Sequence, residues 1–205
     1  MSIVLHHHPH SRAAHVVWML EEVGQPYTLQ PVDLTQGAQK SAAHKALNPM
    51  GKVPVLQDGP VVLTEGAAIG VYLADRYASG RLAPALDHPD RAPFLRWCFY
   101  SPSVVEPGCM AHAAGWTYKP GSAGWGTYPE MLDTLDAAIG DGPWLLGDRF
   151  TMADVVLGGT MQWMLQFGML EKRDRFTDYA ARLSSRPARH RADARNAAAL
   201  AALSA

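Results

Sequence analysis

Short β-branched runs alternate with helical periodicity through the first 78 residues of this 205-residue chain, and then the β-branched runs stop. Ile3 to His7 reads as a strand, ending where His8-Pro9-His10 turns the chain. Ser11 stands as a helix N-cap before Ala13 to Val23, where Ala13, Val16, Val17 and Leu20 keep helical spacing until Gly24. Tyr27 to Val32 is a second strand, and a polar loop leads to a short helix ending before the turn signal Asn48-Pro49-Met50-Gly51. Lys52 to Gln57 and Val61 to Leu63 flank Asp58-Gly59-Pro60; Asp-Gly between apolar runs marks a hairpin, because both residues tolerate positive φ. A helix then begins at Glu65, with Ala68, Ile69, Tyr72 and Leu73 on its apolar face. The order β-α-β-α-β-β-α implies a parallel first pair and an antiparallel hairpin, hence a mixed four-stranded sheet with helices on both faces.

Residues 80–93 carry Gly80, Pro84, Pro89 and Pro93 and read as a linker between a first domain, 1–79, and an all-helical second one, 94–205. Leu95 to His112 is helical but loosened by Pro102, Pro107 and Gly108, which predicts a kink. Trp116 to Gly126 reads as loop, and Glu130 to Ile139 as a helix. Thr151 with Asp154 three residues on forms a helix start, stapled by Phe150 and Val155. Met161, Trp163, Met164, Phe167 and Met169 are expected as core packing, and the arginines from Arg182 to Arg195 as a solvated face.

Composition narrows the function. With 18 basic and 19 acidic side chains the formal charge is -1, which disfavours nucleic acid as a partner, since phosphate binding wants a basic surface. Cys98 and Cys109 are too few for a disulfide framework or a four-thiolate zinc site, and they read as buried reduced thiols. No apolar run reaches the roughly 18 residues of a membrane span, and the start lacks a signal-peptide pattern, so a cytoplasmic setting without membrane partners is expected. His6, His7, His8, His10 and His15 crowd the first turn, yet successive strand residues point to opposite faces and cannot all converge on a metal. No metal site is expected.

The segment Lys52-Val53-Pro54-Val55-Leu56 is the most informative. Proline at a strand start cannot donate to a ladder, and a cis Val53–Pro54 bond would leave the Val53 N–H and C=O turned outward for an extended peptide-like ligand. This segment, then Leu63-Thr64-Glu65-Gly66-Ala67-Ala68-Ile69 with Tyr72-Leu73, and then Gly147-Asp148-Arg149-Phe150-Thr151-Met152-Ala153-Asp154 resemble the glutathione transferase family in order and spacing. The N-terminus, His6-His7 followed after three residues by Ser11-Arg12, resembles a bacterial and fungal branch. The resemblance covers nearly the whole chain. It implies a thioredoxin-like first domain, a helical second domain, a homodimer, and transfer of the glutathione thiolate to a small electrophile without a further cofactor.

Residue by residue, the resemblance gives Val53, before Pro54, the backbone pairing to the cysteinyl part of glutathione. Glu65 holds the γ-glutamyl end with the amides opening its helix, and Lys52 approaches the glycyl carboxylate. Gly66 stands where the family usually has serine and keeps only a backbone N–H. Lowering a thiol pKa from about 8.5 to about 6.5 takes roughly 2.7 kcal/mol of preferential anion stabilisation. Ser11 at a helix start, reinforced by Arg12, is the candidate activator, with His10 and the His6–His7 pair as alternatives. His7, Tyr100 and Trp116 are candidate walls for the second substrate, with Trp97, Met110 and His112 nearby in sequence. A glutathione-dependent isomerase, dehalogenase or peroxidase on this scaffold, or a non-catalytic glutathione-binding protein, is the alternative function.

Overall fold

The computed structural model describes residues 3–203. The chain divides into two compact units: residues up to Ala78 together with those from Arg186 on, and Ser79–Ser185. In the first unit β1 (Ile3–His7) leads into α1 (Ala13–Val23), β2 (Tyr27–Pro31), α2 (Ala42–Leu47), β3 (Val55–Asp58), β4 (Val61–Thr64) and α3 (Gly66–Ala78). The sheet order is β2-β1-β3-β4, with β1 parallel to β2 and the other pairs antiparallel, as the element order implies. Alternation along β1 sends Ile3, Leu5 and His7 to one buried face, while His6 on the other meets the edge of the α2 ring of His44 at 5.7 Å. Helices therefore cover both faces. At the end of the sheet where β3 finishes, the buried carboxylate of Asp58 accepts from the hydroxyls of Tyr72 (2.8 Å) and Tyr77, tying α3 to the hairpin.

Strand β3 starts three residues later than the Lys52 expected from sequence. The reason is local: the Lys52 carbonyl accepts from His44 Nε2 and Asn48 Nδ2, each at 3.0 Å, instead of joining a ladder. His44 and Asn48 are both buried, so the approach to Val53 is anchored from behind. Gly51 closes the preceding turn at φ 58°, where an added Cβ would lie 2.8 Å from the Gln39 carbonyl oxygen. Only glycine fits there.

The last helix, α9 (Pro187–Leu203), was grouped by sequence with the helical region 94–205. It packs along α1 instead and belongs to the first unit. Arg191 and Arg195 on it are exposed, as a solvated face requires, but the arginines of this tail also pair with acidic residues of α1. Arg186 clamps the buried Glu22 carboxylate through Nε (2.6 Å) and Nη2 (2.8 Å), and Glu22 also accepts from Trp18 Nε1. Arg191 and Arg195 both reach Glu21, at 2.8 and 3.7 Å.

The second unit is helical: α4 (Arg91–Tyr100), α5 (Glu106–Ala113), α6 (Tyr128–Ile139), α7 (Met152–Gln166) and α8 (Asp174–Ser184). Where sequence predicts a kink, a π-helical turn at Ser101–Val105 joins α4 to α5. Pro102 and Pro107 lack the N–H that a regular helix needs there. Met161 and Met164 enter the core as expected, but Phe167 caps the end of α7 and is 54% exposed. Cys98 and Cys109 are buried free thiols, and burial pushes Cys109 up to about 12.

Candidate active site

The register of the sheet decides what lies together. His6 pairs with Val55 and Val55 with Thr64, so the end of β1, the start of β3 and the end of β4 lie at one end of the sheet. Just beyond that row come the loop from His8 to Arg12, the segment Lys52-Val53-Pro54, and Glu65. Across two strand spacings the loop and Glu65 are about 10 Å apart, within reach of one small extended ligand. Sequence alone gave each of these residues; the register adds that they converge.

The Val53–Pro54 peptide is cis. Val53 is half-buried, Pro54 is buried, and no hydrogen bond joins the Val53 main chain to any group among the described residues. Lys52 is exposed at the mouth of this segment.

Glu65 is an exposed non-glycine residue at φ 66°. A side chain in that left-handed region costs about 1–2 kcal/mol, and such outliers gather at ligand-binding positions. The helix begins one residue later than sequence suggested, at Gly66, with the Glu65 carbonyl accepting from Ile69 N–H. Among the described residues no side chain accepts from the Gly66 or Ala67 N–H. The start of α3 thus keeps its amide donors and the positive end of its dipole open. A Cβ built at Gly66 meets nothing within 4 Å, so the missing serine leaves open space.

Ser11 lies at the start of α1, though the formal N-cap is Arg12, one residue on. The Ser11 hydroxyl donates to the His8 carbonyl at 2.7 Å and accepts from Ala13 N–H at 3.1 Å. Arg12 is exposed. The other candidate activators are arranged differently. His6 Nε2 shares a 2.8 Å hydrogen bond with Gln57 Oε1, and His10 is exposed. His7 and His8 are buried, and burial lowers both below the ordinary 6.5, with the neighbouring His10 adding to the effect on His8. Burial thus favours the neutral ring at both.

For His7 the structure corrects the expectation of a substrate-pocket wall. Its side chain is 1% exposed, because β1 alternation turns it inward, and Nε2 is bonded to Asn196 Oδ1 of α9 at 2.8 Å. No surface remains for a second substrate. In the helical unit Tyr100 is half-buried with its ring edge-on to Trp97 at 5.3 Å, and Trp116 is 55% exposed. His112 stacks flat on Tyr128 at 3.7 Å, so it is already occupied. Among the described residues no group of three His, Cys, Asp or Glu side chains could hold a metal ion.

The family model described as "Glutathione S-transferase, N-terminal domain" matches residues 1–75, and that described as "Glutathione S-transferase, C-terminal domain" matches residues 110–183. Glutathione S-transferase GstA of Escherichia coli O157:H7 is 30% identical over 183 residues, covering 86% of this chain and 89% of that one. The chain belongs to the glutathione S-transferase family. Family relatives with solved structures reinforce the fold. The theta class glutathione S-transferase of Xanthomonas axonopodis pv. citri, solved with glutathione bound, is 33% identical, with a TM-score of 0.75 over 93% of this chain and 96% of that one. A glutathione transferase of Methylococcus capsulatus is 28% identical, with a TM-score of 0.78 over 95% and 98% of the two chains.

Sequence reasoning missed the supporting shell of this family member. Asn48 and His44, which hold the Lys52 carbonyl, and Asn196, which holds His7, carry no motif. The Asn48-Pro49 turn signal was the one available hint, since Asn side chains commonly bond their own turn.

Proposed function

We propose that this chain is a glutathione transferase that activates the glutathione thiol and joins its sulfur to a small electrophile. The convergence of an unpaired Val53 main chain, a left-handed Glu65 and the Ser11 hydroxyl at one sheet end carries this reading. The relatives named as transferases, and the glutathione bound in the Xanthomonas structure, support it.

The cysteinyl part of glutathione lies along Val53 and pairs with its N–H and C=O, as a short strand added to the sheet. Glu65 accepts from the α-ammonium of the γ-glutamyl end, while the Gly66 and Ala67 amides donate to its carboxylate. Lys52 faces the glycyl carboxylate. The sulfur then points toward the start of α1. There the Ser11 hydroxyl turns from the His8 carbonyl to donate to the thiolate, and the helix end and Arg12 add positive potential. The thiol proton leaves to solvent. A sulfur lone pair forms the new carbon–sulfur bond as the leaving group departs with its electron pair. Within the helical unit, Tyr100 and Trp116 are the side chains that the family resemblance offers to the second substrate.

Glutathione is the co-substrate and no further cofactor is needed. A homodimer, a cytoplasmic setting and a role in detoxification complete the reading, supported by the family resemblance and by two buried free thiols; light scattering of the purified chain tests the dimer. No helix among the described residues is long and apolar enough to cross a membrane.

Titrating the ultraviolet absorbance of the bound thiolate tests the mechanism. The parent should ionise glutathione well below its free value of about 8.5, and Ser11→Ala should return the pKa toward it by about one to two units. An unshifted pKa in Ser11→Ala removes Ser11 from the mechanism.

A further inference from the structure

Five residues, His8 to Arg12, separate the end of β1 from the start of α1, and they carry the proposed activator. One side chain from α9 bridges the two ends of that loop. Asn196 Oδ1 accepts from His7 Nε2–H at 2.8 Å, and Asn196 Nδ2 donates to the Ala14 carbonyl at 3.3 Å. His7 is the last residue of β1, and Ala14 is the second residue of α1. The main chain of His7 is fixed as well, its carbonyl accepting from Val32 N–H at 2.9 Å.

Inside the bridge the Ser11 hydroxyl is tied to the loop and to the first turn of α1, where Ser11 Oγ accepts from Ala13 N–H at 3.1 Å. The His8 carbonyl accepts from the Ser11 hydroxyl, and His8 Nδ1 accepts from His10 N–H at 3.2 Å. The position of Ser11 Oγ therefore follows from where His7 and the first turn of α1 are pinned. An amide suits the bridge because it needs one acceptor and one donor on a single planar group. A carboxylate lacks the donor, and an aliphatic side chain lacks both. Because the amide oxygen Asn196 Oδ1 can only accept, His7 holds its proton on Nε2 toward the bridge.

We propose that Asn196 is a positioning residue for the thiol-activating loop, holding His7 and the first turn of α1 so that the Ser11 hydroxyl meets the glutathione sulfur. The proposal rests on the transferase reading above. Asn196 does not touch substrate. Its effect belongs to thiol ionisation and not to glutathione binding, because Val53, Glu65 and the start of α3 lie on other elements. Small displacements of an activating group are costly: about 1 Å can lower a rate on the order of a hundredfold.

The test uses the full chain and four variants: Asn196→Ala, Asn196→Asp, Ser11→Ala and Arg191→Ala. Asn196→Ala is expected to raise the bound-thiol pKa by about half a unit or more and to lower kcat at least about threefold near neutral pH. The glutathione KM stays within about twofold, and kcat recovers toward the parent as pH rises above the shifted pKa. Arg191→Ala loosens α9 at its Glu21 contact without touching the loop, and it should keep the parent pKa. Should Asn196→Ala fail to fold, Asn196→Asp removes the donor to Ala14 while keeping the acceptor. A pKa rise is again expected, from the lost donor together with the added charge.

Parent-like pKa and kcat in a folded Asn196→Ala, or in Asn196→Asp when it stands in, overturn the proposal. So does an equal shift in Arg191→Ala, which would reduce the effect to general loosening of α9. The Ser11→Ala variant separates the two readings. A shift there without one at Asn196 sinks the bridge and keeps the Ser11 mechanism. A shift at Asn196 without one at Ser11 keeps the bridge and moves activation to another group on the loop.

Discussion

Two helix starts in this protein use their amide donors differently. At α7 the donors are all spoken for. Thr151 Oγ1 accepts from Ala153 N–H, while Asp154 accepts from Thr151 N–H at 2.8 Å, Leu145 N–H at 2.9 Å and the Tyr179 hydroxyl at 2.9 Å. Thr151, Asp154 and Tyr179 are all fully buried. At α3 a strained, exposed Glu65 precedes a glycine, and no side chain among the described residues covers the Gly66 amide. The first start has spent its hydrogen-bonding capacity on the fold. The second has kept it, at the cost of a left-handed residue, and that capacity is what an anionic ligand can use.

Breaking the α7 start should produce the largest effect on the molecule. Asp154→Ala would take the acceptor from four buried donors, the Thr151 N–H and hydroxyl, the Leu145 N–H and the Tyr179 hydroxyl, each worth on the order of 1–3 kcal/mol. A loss of stability of at least about 3 kcal/mol is expected in denaturant titrations. The fraction that folds should bind glutathione as the parent does. If Asp154→Ala were nearly neutral in stability, the contrast between the two starts would collapse.

At α3 the same kind of change should trade the other way. Glu65→Gly relieves the left-handed strain and is expected to stabilise the fold by about 1 kcal/mol. It also removes a charged hydrogen bond worth about 1.5–3 kcal/mol, so calorimetry should find glutathione bound roughly tenfold to a hundredfold more weakly. Stability and affinity moving down together would mean that Glu65 is held for the fold and not for a ligand. The next effect is smaller. Gly66→Ser adds a hydroxyl at the open helix start, where a Cβ meets nothing within 4 Å. One new hydrogen bond of about 0.5–1.5 kcal/mol should tighten glutathione some threefold to tenfold, with little change in melting temperature. Unchanged affinity would show that the ligand does not reach this amide.

Much of this contrast was legible in the sequence, for reasons that differ by element. The Thr151–Asp154 start is readable because a capping box is a local pattern, complete within four residues. The strands and the hairpin are readable because alternation and Asp58-Gly59 act through the nearest neighbours in the chain. The Glu65 conformation was not legible, since nothing in Thr64-Glu65-Gly66 announces a positive φ; the helix was expected to begin at Glu65 itself. Long-range placement was the main loss. An Ala- and Arg-rich tail looks solvated in isolation, and only the fold shows that Glu21 and Glu22, some 165–170 positions earlier, take up its arginines. The inward turn of His7 follows from strand alternation, but its partner Asn196 lies 189 positions away and could not be paired with it from spacing.

The smallest effect sharpens the comparison through pH, because the two regions respond in opposite senses. Burial raises Asp154 from 3.8 to about 6, against the hydrogen bonds that partly offset it. Its folded pKa exceeds its unfolded value, so its contribution to stability is full below about pH 4 and is lost as pH rises through about 6. His7 and His8 run the other way. Their folded pKa values lie below 6.5, so the stability linked to their neutral rings is present above 6.5 and fades as acid forces them to charge. Between about pH 4 and 6.5 the two contributions oppose, and the parent's net slope should be shallow. Asp154→Asn cannot titrate there, so it removes one side of the balance. Relative to its own stability at neutral pH, the variant should lose stability on acidification more steeply than the parent does. Parallel profiles for the two proteins would mean that Asp154 keeps its charge throughout the window, and that the closed helix start holds an ion where the burial argument calls for a proton.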